Sequence, residues 1–66
     1  MKAKCIENKL NNTNFTIGKT YELSKVGIRT DWGGIWTHFD NRDKPKCFNI
    51  GSIFDFGICK FEIVQQ

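Results

Sequence analysis

The stretch FTIGKTYEL, residues 15–23, decides how this chain is read. Phe15 and Ile17 are apolar and alternate with Thr16, the period of two that marks a strand. Gly18 follows, and a residue without a Cβ lets the backbone turn where other residues clash. Alternation resumes through Thr20, Tyr21, Glu22 and Leu23, with Tyr21 and Leu23 on one side. We read a diverging turn that feeds a strand and opens a small barrel. The Gly18-Lys19 pair also raises the idea of a phosphate loop. Such a loop needs a second glycine and a helix start, and here a strand follows directly. The stretch therefore has a structural role, turning the chain and planting Tyr21 and Leu23 in the core.

Working outward toward the start, KAKCIE (residues 2–7) alternates and predicts a first strand with Ala3 and Cys5 inward. Ile6 breaks the alternation and marks a bulge or the other face. The Asn-rich run NKLNNTN (8–14) reads as a loop. Toward the end, the strand after Gly18 runs to about Val26, Gly27 bends or ends it, and residues 28–30 continue it as a twisted ribbon. DWGG (31–34) is a turn by composition. IWTHF (35–39) predicts a third strand, with Ile35, Thr37 and Phe39 on one face and Trp36 and His38 on the other.

DNRDKP (40–45) reads as a hairpin connection and KCFNI (46–50) as a fourth strand. GSIFDFG (51–57) predicts a single 3₁₀ turn with Ser52 as its cap. ICKFEIV (58–64) predicts the last strand, with Cys59, Phe61 and Ile63 inward, and Gln65 and Gln66 fray. The fold class expected is all-β: five short strands in a small closed or nearly closed barrel, one domain over residues 1–66.

Size and composition bound the rest. A chain of 66 residues buries only about 60% of the surface its unfolded form exposes, so pairing into a homodimer or higher oligomer is an open alternative. Six Phe, two Trp and one Tyr against a single Pro argue for a folded protein. The net charge of +3 comes from scattered Lys and Arg with acids among them, which favours a mixed solvated surface over a nucleic-acid stripe. Three cysteines, an odd number, with no signal-peptide pattern at the start, predict free thiols and a cytoplasmic location. The N-x-T triplets at Asn11 and Asn14 are then not expected to carry glycans. No apolar run approaches the ~20 residues that span a membrane, so no membrane partner is expected.

The order of these pieces resembles a group of small phage and prophage proteins. The residues that carry the resemblance are Lys4-Cys5-Ile6, then Thr16-Ile17-Gly18-Lys19-Thr20-Tyr21-Glu22, then Asp40-Asn41 at the hairpin position, then the closing KFEIV. Arg42 stands where the group has a hairpin glycine. The resemblance covers nearly the whole chain and implies an SH3-like β-barrel from a bacteriophage or prophage, acting in the host bacterial cytoplasm. Several small phage proteins of this size bind and disable a host enzyme or defence system. SH3-like barrels often bind through aromatics on the loop between their second and third strands, where Trp32 falls.

The chemistry-bearing residues are few. His38 is the single histidine, and a Cys-His pair would require Cys47 to lie across a hairpin from it. Cys5, His38, Cys47 and Cys59 number four, as zinc requires, but none are spaced as C-x₂₋₄-C, and no metal or cofactor is expected. Trp32 and Trp36 flank a glycine turn and either form a binding patch or cap the barrel end. Lys2, Lys4, Lys25, Arg29, Lys44, Lys46 and Lys60 fall mostly on outward positions and, if gathered around the tryptophans, would suit single-stranded nucleic acid.

The expectation is a non-enzymatic module that binds and modulates or inhibits a host protein. Its site is placed at Trp32, Trp36, His38 and Arg42, with Arg29 and Asp31 at the rim. A nucleic-acid-binding barrel and a self-assembling structural component are the alternatives.

Overall fold

A computed structural model describes residues 1–11, 13–33 and 36–65. The expectations placed on Asn12, Gly34, Ile35 and Gln66 lie outside the described residues. The strands are β1 (Lys2–Asn8), β2 (Thr20–Glu22), β3 (Gly27–Arg29), β4 (Trp36–His38), β5 (Ile53–Phe56) and β6 (Cys59–Gln65). They form a four-stranded sheet in the order β2-β1-β6-β5 and a two-stranded sheet of β3 and β4, all antiparallel. An isolated bridge from Leu23 to Ile28 links the two.

Alternation sets what is buried. On β6, Cys59, Phe61 and Ile63 point inward, and on β1, Ala3 and Cys5 do, as the period of two requires. Phe61 is the centre of the core. Its ring meets Phe15 edge-on at 4.9 Å and stacks on Phe54 at 5.6 Å, with Tyr21 edge-on at 6.2 Å. Burying one such side chain contributes about 1.5–3 kcal/mol, so this group supplies much of what a small core has. Ile6 is the extra residue of a β-bulge: Cys5 faces Phe61 and Glu7 faces Lys60, so two steps on β1 match one on β6.

The turn inside FTIGKTYEL forms as expected. The Lys19 N–H donates to the Thr16 carbonyl at 3.1 Å, and Gly18 sits at φ +93°, the value a type II turn demands of its third residue. The turn is stitched to β1, because Gly18 N–H donates to Cys5 O and Cys5 N–H to Lys19 O.

Four expectations are corrected. Residues 51–57 hold strand β5 in place of a 3₁₀ turn: Ile53 and Asp55 are exposed while Phe54 is buried, a period of two that no 3₁₀ turn offers. A two-residue hairpin, Gly57-Ile58 with Gly57 at φ +63°, joins β5 to β6. KCFNI is not a strand, since β5 occupies the place beside β6 and Ile50 stays 62% exposed. Gly27 begins β3, after the Ser24–Gly27 hairpin closes with Ser24 N–H on the Gly27 carbonyl. The five expected strands are therefore six among the described residues.

No closed barrel results. Among the described residues no ladder joins β4 to β5. Phe39, just past β4, instead lays its ring against Phe54 at 5.8 Å and Phe56 at 5.3 Å, so side chains bridge the seam.

Two glycines test this account by different routes. Gly18→Val introduces a β-branched residue at positive φ with no steric neighbour to meet, and is expected to cost about 1–3 kcal/mol. Gly27→Ala puts a Cβ 2.3 Å from the Thr37 carbonyl oxygen, so the β3–β4 pairing must shift, and the loss is expected to be on the order of 2 kcal/mol or more. Thermal unfolding reads both, at roughly 4–8 °C per kcal/mol for a chain of this size. A wild-type melting temperature in either variant would mean that the backbone there takes another conformation.

Candidate binding face

The loop that leaves β3 carries Thr30, Asp31 and Trp32, and the sequence fixes its shape locally. Gly33 N–H donates to Thr30 O with Gly33 at φ +71°, and Trp32 N–H donates to the Thr30 hydroxyl at 3.3 Å. Asp31 N–H reaches across to Asn14 O at 2.8 Å. Its carboxylate then accepts three bonds: Thr16 Oγ1 at 2.7 Å, Tyr21 OH at 2.8 Å and Lys19 Nζ at 2.9 Å. Tyr21 OH in turn accepts from the Thr16 N–H. One carboxylate thus clips the glycine turn of residues 16–19 to the exit of β3.

The electrostatics follow from that arrangement. Partial burial pushes the Asp31 carboxyl up, but the bonds from Lys19, Thr16 and Tyr21, with the Lys19 charge, outweigh it and hold the group below the ordinary carboxylate range. Lys19 is raised by its bond to Asp31 and by that carboxylate's charge. Tyr21 is raised by burial first, with its bond to Asp31 adding to the shift.

The six expected site residues separate into three places. Arg29 and Trp36 are cross-strand partners on β3 and β4, with the guanidinium carbon 4.9 Å from the centre of the indole. His38, two residues on from Trp36, is exposed on the same side of β4, opposite Gly27. Trp32 is 70% exposed and held in place by its indole N–H, which donates to Asn14 Oδ1 at 2.7 Å. Asp31 is the clamp just described, facing inward to the turn. Arg42 lies elsewhere, in a turn where Asp40 Oδ1 accepts from the Arg42 and Asp43 N–H groups. That turn borders a cleft of about 390 Å³ against β5, with Ser52 to Asp55 on its far wall.

Asn14, Thr16, Lys19 and Tyr21 are the residues the sequence reading did not assign to the site. Lys19 and Tyr21 had a signal, since both fall in FTIGKTYEL, but their partner Asp31 is 12 and 10 residues further on. A polar groove of about 230 Å³ opens beside them, between β2 and β3.

The cysteines do not gather with His38. Cys5 and Cys59 are buried in the core, Cys47 is exposed with its Sγ 3.3 Å from Ser52 Oγ, and His38 faces Gly27 instead of Cys47. Among the described residues no group of His, Cys, Asp and Glu is placed to hold a metal ion.

Two measurements check the site. Asp31 has a lowered folded pKa, so its contribution is complete above the unfolded value near 4 and is lost as pH falls through the folded one. Lys19 and Tyr21 are raised, so their share is complete below about 10 and is lost as pH rises through their folded values. Wild type is therefore expected to melt higher than Asp31→Asn at neutral pH, with the gap closing below about pH 4; a gap that persists into acid would remove the clamp.

Burial also pushes the Cys5 thiol up and the Cys59 thiol up to about 11. A colourimetric thiol reagent is expected to find Cys47 in the native protein, and all three thiols only after denaturant. Fast native labelling of Cys5 or Cys59 would contradict the packing. Compared with protein-family models, curated proteins and solved structures, the chain matches none of them.

Proposed function

We propose that this chain is a non-enzymatic accessory protein of the phage type, with its strands in an SH3-like arrangement, that binds a host protein and modulates or inhibits it. The observation that carries this reading is Trp32. A ring 70% exposed to water and yet anchored through its indole N–H is a poor use of apolar surface for a chain acting alone. It is well suited to a contact centre, because a ring already held in one orientation has little freedom left to lose on binding. The Arg29–Trp36 pair and His38 lie on β3 and β4, the strands that flank the Trp32 loop. Chain neighbours pair at β1–β2, β3–β4 and β5–β6, β2 meets β3 through one bridge, and β1 lies beside the last strand; this order supports the SH3-like arrangement. The phage-type assignment rests on the motifs of residues 4–6 and 16–22.

Capture from bacterial lysate on immobilised protein tests the reading. Wild type is expected to retain a protein partner through nuclease treatment and high salt. Trp32→Ala is expected to bind it at least about 10-fold more weakly with an unchanged melting temperature. A retained species that nuclease removes, or that salt strips steeply, would assign the face to nucleic acid instead. Equal capture by both proteins would move the interface away from Trp32.

A further inference from the structure

The groove between β2 and β3 has an uneven distribution of charge. Lys2, Lys19 and Arg29 supply three cations to it, and Glu22 and Asp31 supply two carboxylates. The lysines are each matched, Lys2 to Glu22 at 3.5 Å and Lys19 to Asp31 at 2.9 Å. Arg29 is the cation left over: among the described residues no carboxylate lies within 4.0 Å of it. Its Nε is shielded from water and has no hydrogen-bond acceptor among the described residues. Its guanidinium is held over the Trp36 ring.

A guanidinium so placed has given up part of its hydration without gaining a counter-charge. A shielded donor with no acceptor is uncommon in folded proteins and calls for an explanation, of which a missing ligand is one. The contact with Trp36, 4.9 Å from the ring centre, restrains the position of the group before a ligand arrives.

From this we infer that the β2–β3 groove is a receptor for a single carboxylate, an aspartate or glutamate side chain in the partner protein, with Arg29 as the residue that binds it. The inference rests on the binding-module reading above and names the partner's chemistry. One carboxylate brings the groove's charges into balance. A nucleic-acid strand would instead carry successive phosphates past Glu22 and Asp31, which repel them. The groove's size, about 230 Å³, suits one acidic side chain better than a run of nucleotides.

The full chain labelled with nitrogen-15 provides the test, with the Arg29 Nε–H and Trp36 indole N–H resonances as reporters. The probes are a capped peptide alternating glutamate with glycine, its glutamine counterpart, and a single-stranded oligothymidylate. The glutamate peptide is expected to shift both resonances in a saturable way at millimolar concentration, and the glutamine peptide to leave them in place. Arg29→Lys keeps the charge but loses the planar fork, and is expected to weaken the Trp36 response about 10-fold.

No shift with the glutamate peptide, equal shifts with both peptides, an unaltered response in Arg29→Lys, or tighter binding of the oligonucleotide would each overturn the assignment. The wild-type titration decides the matter without any variant. A lysate partner that needs Trp32 yet binds Arg29→Lys at full strength would leave the binding-module reading in place and remove this one.

Discussion

The Asp31 carboxylate is the point on which the two halves of the chain depend for their alignment. Three donors from residues 16, 19 and 21 converge on it, and its own N–H reaches back to residue 14. Among the described residues, the strand pairing between the four-stranded sheet and the β3–β4 pair is one isolated bridge, at Leu23 and Ile28. Hydrogen bonds to an ionised acceptor are about twice as strong as neutral ones, so a single carboxylate holds the loop position that a longer ladder would otherwise define. Trp32, the next residue, inherits that fixed position. The buried tyrosine is bonded to that carboxylate, and the exposed ring on the next residue is bonded to Asn14, whose carbonyl also takes the Asp31 N–H.

The parts legible in the sequence are those governed by near neighbours. Cys59, Phe61 and Ile63 alternate without interruption, and so do Ala3 and Cys5, so their inward faces follow from a period of two. Gly18 announced its turn because a positive φ has few other tenants. Ile6 announced its bulge by breaking the count. KCFNI and SIFDF were a different matter, because both are short and half apolar. Which of them lies beside β6 is settled by competition for one sheet edge, a contest between distant segments that local pattern does not record. Asp31 was legible as a polar loop residue and illegible as a hub, since its partners are 10 to 15 residues away in sequence.

The candidate face divides along the same line. Arg29 and Trp36 meet because β3 and β4 pair in the register that Gly27 permits, its missing Cβ leaving room for the Thr37 carbonyl. That register places one cation on one indole and leaves it without a carboxylate, while the lysines nearby find theirs. Scattered charge in the sequence thus becomes ordered charge in the fold. Arg42 shows the converse: close to Trp36 and His38 in the chain, it belongs to the turn beside β5.

The seam at Phe39 has a mechanical consequence. Ladder hydrogen bonds are directional and resist sliding, whereas contacts between aromatic rings weaken gradually as one ring moves over another. A sheet edge held to its neighbour by Phe39 against Phe54 and Phe56 therefore behaves as a lubricated joint and not as a weld. The β3–β4 pair is anchored at one margin by the Asp31 clip and held at the other by these rings. The position of Trp36 and His38 along that seam therefore rests on ring packing at one margin and on one carboxylate at the other.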